Sequence, residues 1–395
     1  MAGYSYREIL KRINEDEVVR ICTELICFRS VNPPGNEMEI ARYVGAMLRE
    51  AGLEVDVLEH TPDRGSVVAR LKGTGELPAL VYAGHLDVVP AEEDDWLYPP
   101  FEGLVAEGKI WGRGSTDMKS GDAAILAAAR VLAAEKVPLR GDLILAFTAG
   151  EETDNFGAVE ILKNLDLGPA QAIFIPEPSN NGVFIAEKGA LWVEITTRGK
   201  AAHISNLRDG RNALMMMVPI LSELDRLAVP YEPHALLGHF ARSINTISAG
   251  TKTNTIPPRC VATVDQRTVP GQDHAAIVQR IEDLVADVGK RSGIEDFRAS
   301  VRVILDNPPL ETSSEDPVVK RFYGLVEDIT AERPEDRGVG YFTDAARFTP
   351  GLKAPFIICG PGNPSLNHKK DEWVEIVKLV ESARIYILTA IEFLT

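Results

Sequence analysis

Seven short segments carry side chains able to hold cations or move protons. They are Gly84-His85-Leu86-Asp87, Gly112-Arg113-Gly114-Ser115-Thr116-Asp117-Met118-Lys119, Gly150-Glu151-Glu152, Pro176-Glu177-Pro178, Ala202-His203, Asp265-Gln266-Arg267 and Asn367-His368. Imidazole and carboxylate are ligands that zinc, cobalt and manganese all accept. Two such ions ~3.5–4 Å apart can activate a water and polarise a carbonyl together, and holding them takes roughly five protein ligands, one of them shared. The order and residue types of the segments point to that chemistry: two cations, a bridging carboxylate and a carboxylate base.

Each residue has a functional and a plainer reading. His85 and Asp87 are two apart, so in an extended segment they share a face. His85 reads as a ligand and Asp87 as the acceptor that fixes its tautomer; a strand-end His near a turn Asp has the same pattern. Asp117 follows a turn whose glycines allow close backbone approach, and its two oxygens could bridge two ions. A helix N-cap is the other reading. Glu151 and Glu152 repel each other unless cations neutralise them, so one is expected to hold metal while its neighbour moves a proton. Glu177, between two prolines, says little alone. His368, in a Gly/Pro-rich loop, is the expected fifth ligand, with a surface-loop His as the alternative.

Three apolar runs lead into these groups. Residues 79–83 stop at Gly84-His85, 142–148 at Gly150-Glu151-Glu152, and 172–175 just before Glu177. Open α/β sheets place ligands at the C-terminal edge of such strands. Periodicity predicts helices over 15–26, 37–52, 120–134, 317–329 and 373–393, and strands over 53–58, 66–71 and 355–359. The texture changes near Ala190. Strands over 191–197, 242–250, 260–268 and 299–305 alternate with helices over 212–227 and 274–289, an α+β pattern inserted into the α/β unit. The expected boundaries are 1–189 with 306–395 for a catalytic, metal-binding domain and 190–305 for the insert.

A chain of 395 residues exceeds one ordinary core, which also predicts two domains. The net charge of −16 argues against nucleic acid or an anionic membrane as a partner. Cys22, Cys27, Cys260 and Cys359 form no CxxC pair, so buried free thiols in a reducing compartment are expected. Residues 1–14 carry alternating charges and no apolar leader, and no uncharged apolar run approaches the ~20 residues of a membrane span. The expected location is the cytoplasm.

From Ser30-Val31-Asn32-Pro33 to Asp371-Glu372-Trp373 the chain resembles the M20 metallopeptidases, the group of acetylornithine deacetylase, succinyl-diaminopimelate desuccinylase, aminoacylase and glutamate carboxypeptidase. The segments Tyr82 to Pro90 and Gly112 to Gly121, followed by the Glu pair, carry the likeness. It implies a zinc-peptidase-like α/β catalytic domain with a mixed sheet flanked by helices. It also implies an inserted ferredoxin-like α+β domain that serves as lid and homodimer contact. His85 and Glu177 would serve one ion, Glu152 and His368 the other, and Asp117 both. Zinc is the expected metal, with cobalt or manganese as alternatives. Glu151 would be the general base, and the Asp117–Met118 peptide is expected to be cis. His203 would polarise the substrate carbonyl, in many relatives from the partner subunit. Asn254 and Arg267 would grip substrate, Arg267 as a bidentate carboxylate donor unless it forms a lid salt bridge.

The implied reaction removes an acetyl- or succinyl-type group from an N-acyl amino acid. A dipeptidase or carboxypeptidase is the alternative, and a silent metal-dependent binding protein is disfavoured by the presence of Glu151. The chain departs from the family pattern at Gly150, a position that is often acidic, at Ile204, where small residues are usual, and in the basic flank Lys369-Lys370. Arg347 lies in a segment similar to a TSDGRF-like stretch of the desuccinylases, spaced one residue differently. A carboxylate site for a succinyl group there stays open.

Overall fold

The computed structural model describes residues 6–395. The first five residues of the N-terminal stretch discussed above therefore lie outside the described part. The chain opens with α1 (Tyr6–Leu10), α2 (Glu15–Cys27) and α3 (Met38–Glu50), then β1 (Glu54–Thr61), β2 (Arg64–Leu71) and β3 (Ala79–His85). The short strands β4 (Leu104–Ala106) and β5 (Lys109–Trp111) precede α4 (Lys119–Ala134), β6 (Leu143–Thr148), α5 (Phe156–Asn164), β7 (Ala170–Pro178) and β8 (Phe184–Glu187). Next come β9 (Gly189–Arg198), α6 (Ala213–Leu224), β10 (Ala241–Ala249), β11 (Arg259–Thr268), α7 (His274–Arg291) and β12 (Arg298–Asn307). The chain returns through β13 (Leu310–Glu311), α8 (Pro317–Thr330), β14 (Arg337–Val339), α9 (Ala345–Leu352), β15 (Phe356–Gly360), β16 (Trp373–Glu375) and α10 (Ile376–Leu394).

Two compact units result. The first comprises the chain up to Ile185 with Glu311–Arg337 and Thr343–Thr395; the second is Ala186–Leu310 with Gly338–Phe342. Residues 338–342 thus group with the second unit rather than with their chain neighbours. The large sheet runs β1-β2-β6-β3-β7-β15-β8-β13, with β14 on β8. It is mixed. The block β6-β3-β7-β15 is parallel, whereas β1, β2 and β8 pair antiparallel. Every residue of β3 and β6 is buried, as expected of central parallel strands covered on both faces. The Ala-rich α4 packs on β3, β6 and β7, and α2 and α10 pack on α4 in turn. Small side chains permit that close approach, and the first eleven residues of α4, Lys119 to Ala129, are all buried.

The second unit is a four-stranded antiparallel sheet in the order β10-β11-β9-β12. Helices α6 and α7 cover one face, with Met217, Ile220, Ile277 and Ile281 packed on Val193, Ile195 and Val264. The order and the β-α-β-β-α-β succession are those of a ferredoxin-like fold.

The last helix begins at Ile376, not at the predicted Trp373, because Trp373 to Glu375 pairs antiparallel with β5. Strands of two or three residues such as β4, β5, β13 and β14 are too short for alternation to reveal. All four cysteines are free, but Cys27 is exposed, unlike the buried thiol expected. Among the described residues no helix is long and apolar enough to cross a membrane.

Candidate metal centre

Four parallel neighbours end at one edge of the large sheet. His85 is the last residue of β3, Glu177 the penultimate residue of β7, and Glu151-Glu152 follow the end of β6. His368 arrives on the loop after β15, and Asp117 on the turn that enters α4. His85 Nε2 lies 3.2 Å from Asp117 Oδ1, 3.5 Å from Glu177 Oε1 and 3.9 Å from Glu151 Oε2. His368 Nε2 lies 2.9 Å from Glu152 Oε2 and 3.5 Å from Asp117 Oδ2. The two oxygens of Asp117 therefore face different histidines, and each histidine has a glutamate of its own. The Asp117–Met118 peptide is cis.

Four carboxylates and two imidazoles share this space, and all but His368 have almost fully buried side chains. Their mutual influence shows in their affinities for protons. Burial opposes a charge on His85, yet Asp117 and Glu177 raise its pKa well above the ordinary value. His368 is pushed up to about 10 by Asp117 and Glu152. Burial and the Asp117 charge push Glu177 up to about 8. Burial also raises Glu152, with Asp117 adding to it, and raises Glu151 well above the carboxylate range, with Glu177 and Glu152 adding to it. Asp117 alone is held low, against burial, by the two histidines. Without cations, then, the protein balances its excess of buried acid by retaining protons.

Divalent ions fit this donor set. Glu152 Oε1 is buried with no hydrogen-bond partner, and ligand atoms of His85, Glu151 and Glu177, and likewise of His85, Asp117 and Glu152, lie within 4.8 Å of one another. Histidine with carboxylate, one carboxylate facing both sides, is a donor set suited to zinc, cobalt or manganese.

Asp87 has a different place from the one its spacing suggested. The main-chain oxygen of Asp87 lies 2.9 Å from His85 Nδ1, whereas its nearer carboxylate oxygen lies at 3.6 Å. The carboxylate instead accepts the amides of Gly150, Glu151 and Glu152 at 3.1, 3.2 and 3.2 Å, and the side chain of Asn32 at 2.8 Å. An extended segment puts side chains 85 and 87 on one face, but it cannot show that a turn 63 residues later closes over them. Asp87→Asn turns an –NH2 toward main-chain donors and leaves at least one buried amide unpaired. Expected is a loss of about 1–3 kcal/mol in denaturant unfolding, with turnover reduced because Glu151 and Glu152 lose their anchor. Unchanged stability and kcat would remove this role.

Gly150 departs from the family pattern for a local reason. Its φ is +80°, and a Cβ there would meet the Phe156 ring at 2.5 Å. Asn32, Asp344 and Glu372 are buried around the centre and were not singled out from sequence. Asp344 accepts from Thr148 Oγ1 and, at 2.9 Å, from Asn155 Nδ2, tying the start of α9 to the end of β6. Asn32 and Glu372 sit in the terminal segments of the family likeness, the one signal that could have flagged them.

The remaining predicted site residues fall outside the cluster's ligand set. Arg347 lies on α9 of the first unit, its amide donating to the Asp344 carbonyl at 3.0 Å. His203, Asn254 and Arg267 belong to the second unit. His203 Nδ1 accepts the Ser205 amide at 3.2 Å, on the side of the ring away from Nε2. The Asn254 side-chain amide lies 3.5 Å from that nitrogen. Arg267 is engaged with Asp265 at 3.1 Å and stands over the Phe342 ring, so in this conformation the salt-bridge alternative holds.

The profile of the peptidase family M20/M25/M40 matches residues 81–392. A probable succinyl-diaminopimelate desuccinylase of Staphylococcus epidermidis is 27% identical over 391 residues, spanning 92% of this chain and 94% of that protein. The N-formyl-4-amino-5-aminomethyl-2-methylpyrimidine deformylase of Bacillus subtilis is 26% identical, spanning 95% of each. Among solved structures, an M20 family metallo-carboxypeptidase from Sulfolobus solfataricus superposes with a TM-score of 0.79 at 20% identity, covering 96% of this chain and 99% of that one.

Proposed function

Because the chain belongs to peptidase family M20/M25/M40, we propose that it removes an acyl group from an N-acyl amino acid at a centre of two divalent ions. It is a metal-dependent hydrolase of amide bonds. The observation that carries the dinuclear assignment is Asp117, whose two oxygens face two separate His/Glu pairs. His85 and Glu177 are assigned to one ion, Glu152 and His368 to the other, and Asp117 to both. Zinc is the assigned metal, with cobalt and manganese as alternatives that accept the same imidazole and carboxylate donors. When bound, the pair supplies Lewis acidity toward a water and an amide carbonyl.

Glu151 is the general base. It lies within the cluster, yet farther from His85 Nε2 than Asp117 or Glu177. It takes a proton from the attacking water and passes it to the leaving nitrogen. In the ion-free site burial raises its pKa, with Glu177 and Glu152 adding to the effect. His203 donates through Nε2 to the developing oxyanion. Asn254 and Arg267 hold the substrate carboxylate, Arg267 exchanging Asp265 for it, and Arg347 is kept as the candidate contact for a second carboxylate.

The deacylase reading is supported by two relatives whose names describe removal of a succinyl and a formyl group. A panel of acetyl-, succinyl- and formyl-amino acids and dipeptides, scored by released amine on zinc-loaded protein, tests it. At least one N-acyl amino acid should exceed every dipeptide about tenfold in kcat/KM, a margin of ~1.4 kcal/mol. Faster dipeptide cleavage would make the protein a dipeptidase instead.

His203→Ala should lower kcat about 10²–10³-fold, the usual effect of losing one oxyanion donor, while both ions remain bound. A loss of metal as the main effect would make His203 a ligand. The second unit is assigned as lid and homodimer contact. Its edge strands β10 and β12 leave Ile247, Val303 and Ile304 exposed, which supports pairing with a second copy. A monomer in sedimentation velocity at micromolar concentration would remove that assignment.

A further inference from the structure

Glu372 is wholly buried and lies four residues after His368. Its Oε1 accepts three main-chain amides of the Asp117 turn: Gly114 at 3.1 Å, Thr116 at 2.7 Å and Asp117 itself at 2.9 Å. Its Oε2 takes Arg113 Nη1 at 2.5 Å. Arg113 in turn donates to the Lys369 carbonyl at 3.0 Å, next to His368. The Gly112 amide donates to the Glu372 carbonyl at 2.9 Å, and Thr116 Oγ1 to that of Trp373 at 2.7 Å. A Cβ on Gly362, at the root of the His368 loop, would stand 2.4 Å from the Thr116 carbonyl. Two segments about 250 residues apart are thus pressed together, with one carboxylate as the joint.

We propose that Glu372 is a positioning residue that sets the separation of Asp117 from His368 and thereby completes the second ion's half of the centre. Each of those two ligands lies on a loop, and the β5–β16 pairing that joins their segments runs only over Lys109–Trp111 and Trp373–Glu375, short of both. Within the stretch 113–117 the amides of Gly114, Thr116 and Asp117 turn onto Oε1, while those of Arg113 and Ser115 go to the Pro100 and Gly112 carbonyls. Their convergence on one charged acceptor leaves the Asp117 side chain free to face the histidines. The charge matters as well as the shape. A neutral amide could present one oxygen to the three main-chain donors, but its –NH2 would then meet the Arg113 guanidinium. The proposal rests on the reading of Asp117 and His368 as metal ligands.

The test uses full-length, chelator-stripped protein titrated with Co2+, followed by calorimetry and by the visible spectrum of the bound cobalt. His368→Ala identifies which binding step depends on the second half-site. Glu372→Gln is expected to weaken that same step about 10–100-fold, the range for partners that orient a ligand, and to weaken the other step, which shares only Asp117, by less. Excess Co2+ should restore its two-cobalt spectrum. Glu372→Asp, which keeps the charge with a shorter reach, should fall between Gln and wild type, and it serves as the measured variant if Gln does not fold. Wild-type affinities at both steps in Glu372→Gln would overturn the proposal. So would equal weakening of both steps that follows a drop in Tm, since that describes general loosening. If the wild-type protein itself binds fewer than two Co2+, the ligand reading fails first, and the two failures are told apart.

Discussion

Glu151→Ala is expected to keep its fold and both ions while losing about 10²–10⁴-fold in kcat, the range attributed to a positioned general base. Three features combine to give this outcome. Glu151 lies inside the cluster but beyond the closer contacts that Asp117 and Glu177 make with His85. Its removal leaves both histidines, Asp117, Glu152 and Glu177 in place, so the donors assigned to the ions are intact. It also removes one of four crowded carboxylates, which relieves repulsion rather than adding to it. Metal content by mass spectrometry, Tm and turnover on the best N-acyl substrate would be measured together. Near-wild-type turnover would remove the base assignment, and loss of an ion would make Glu151 a ligand.

Stripping the metals should abolish activity and make stability depend on pH. An ion bound only by the folded state, at a free concentration 1,000 times its Kd, stabilises by about 4.1 kcal/mol. Two such sites account for a large part of an ordinary protein's stability. In the stripped protein Glu177 rises from its ordinary 4.5 to about 8, chiefly through burial, and His368 from 6.5 to about 10, chiefly through Asp117. Both groups bind protons more tightly folded than unfolded. Stability therefore falls as pH rises, across 4.5 to about 8 for Glu177 and 6.5 to about 10 for His368. Thermal unfolding of chelated protein should show Tm falling with pH through that window, and zinc should flatten the slope. A chelated protein that stays active, or whose Tm rises across the window, would contradict the centre as drawn.

Much of the arrangement was legible from residue types. Apolar runs ending in His85, Glu151-Glu152 and Glu177 report buried strands, and buried strands in an α/β sheet carry their ligands at one edge. The second unit's alternation was equally clear, because its sheet has one open face. Other features were not legible. Asp87 and Glu372 are ordinary acids in the chain, and their importance lies in amides that reach them from 63 and 255 residues away. Gly150 looked like a departure from a pattern, and its positive φ against Phe156 supplies the cause. The strand at Trp373 was hidden in a helical period because its partner, β5, is itself only three residues long.

By itself the sequence determined the kinds of donor, the strands that carry most of them and the presence of an inserted second unit. These follow from side-chain chemistry and from periodicity, both local properties. Tertiary structure alone decided that Asp117 faces two histidines at once, and that separate carboxylates hold the turns on which Asp117, Glu151 and Glu152 ride. Those depend on amide directions and ångström-scale separations between distant segments, which a linear order of residues does not contain.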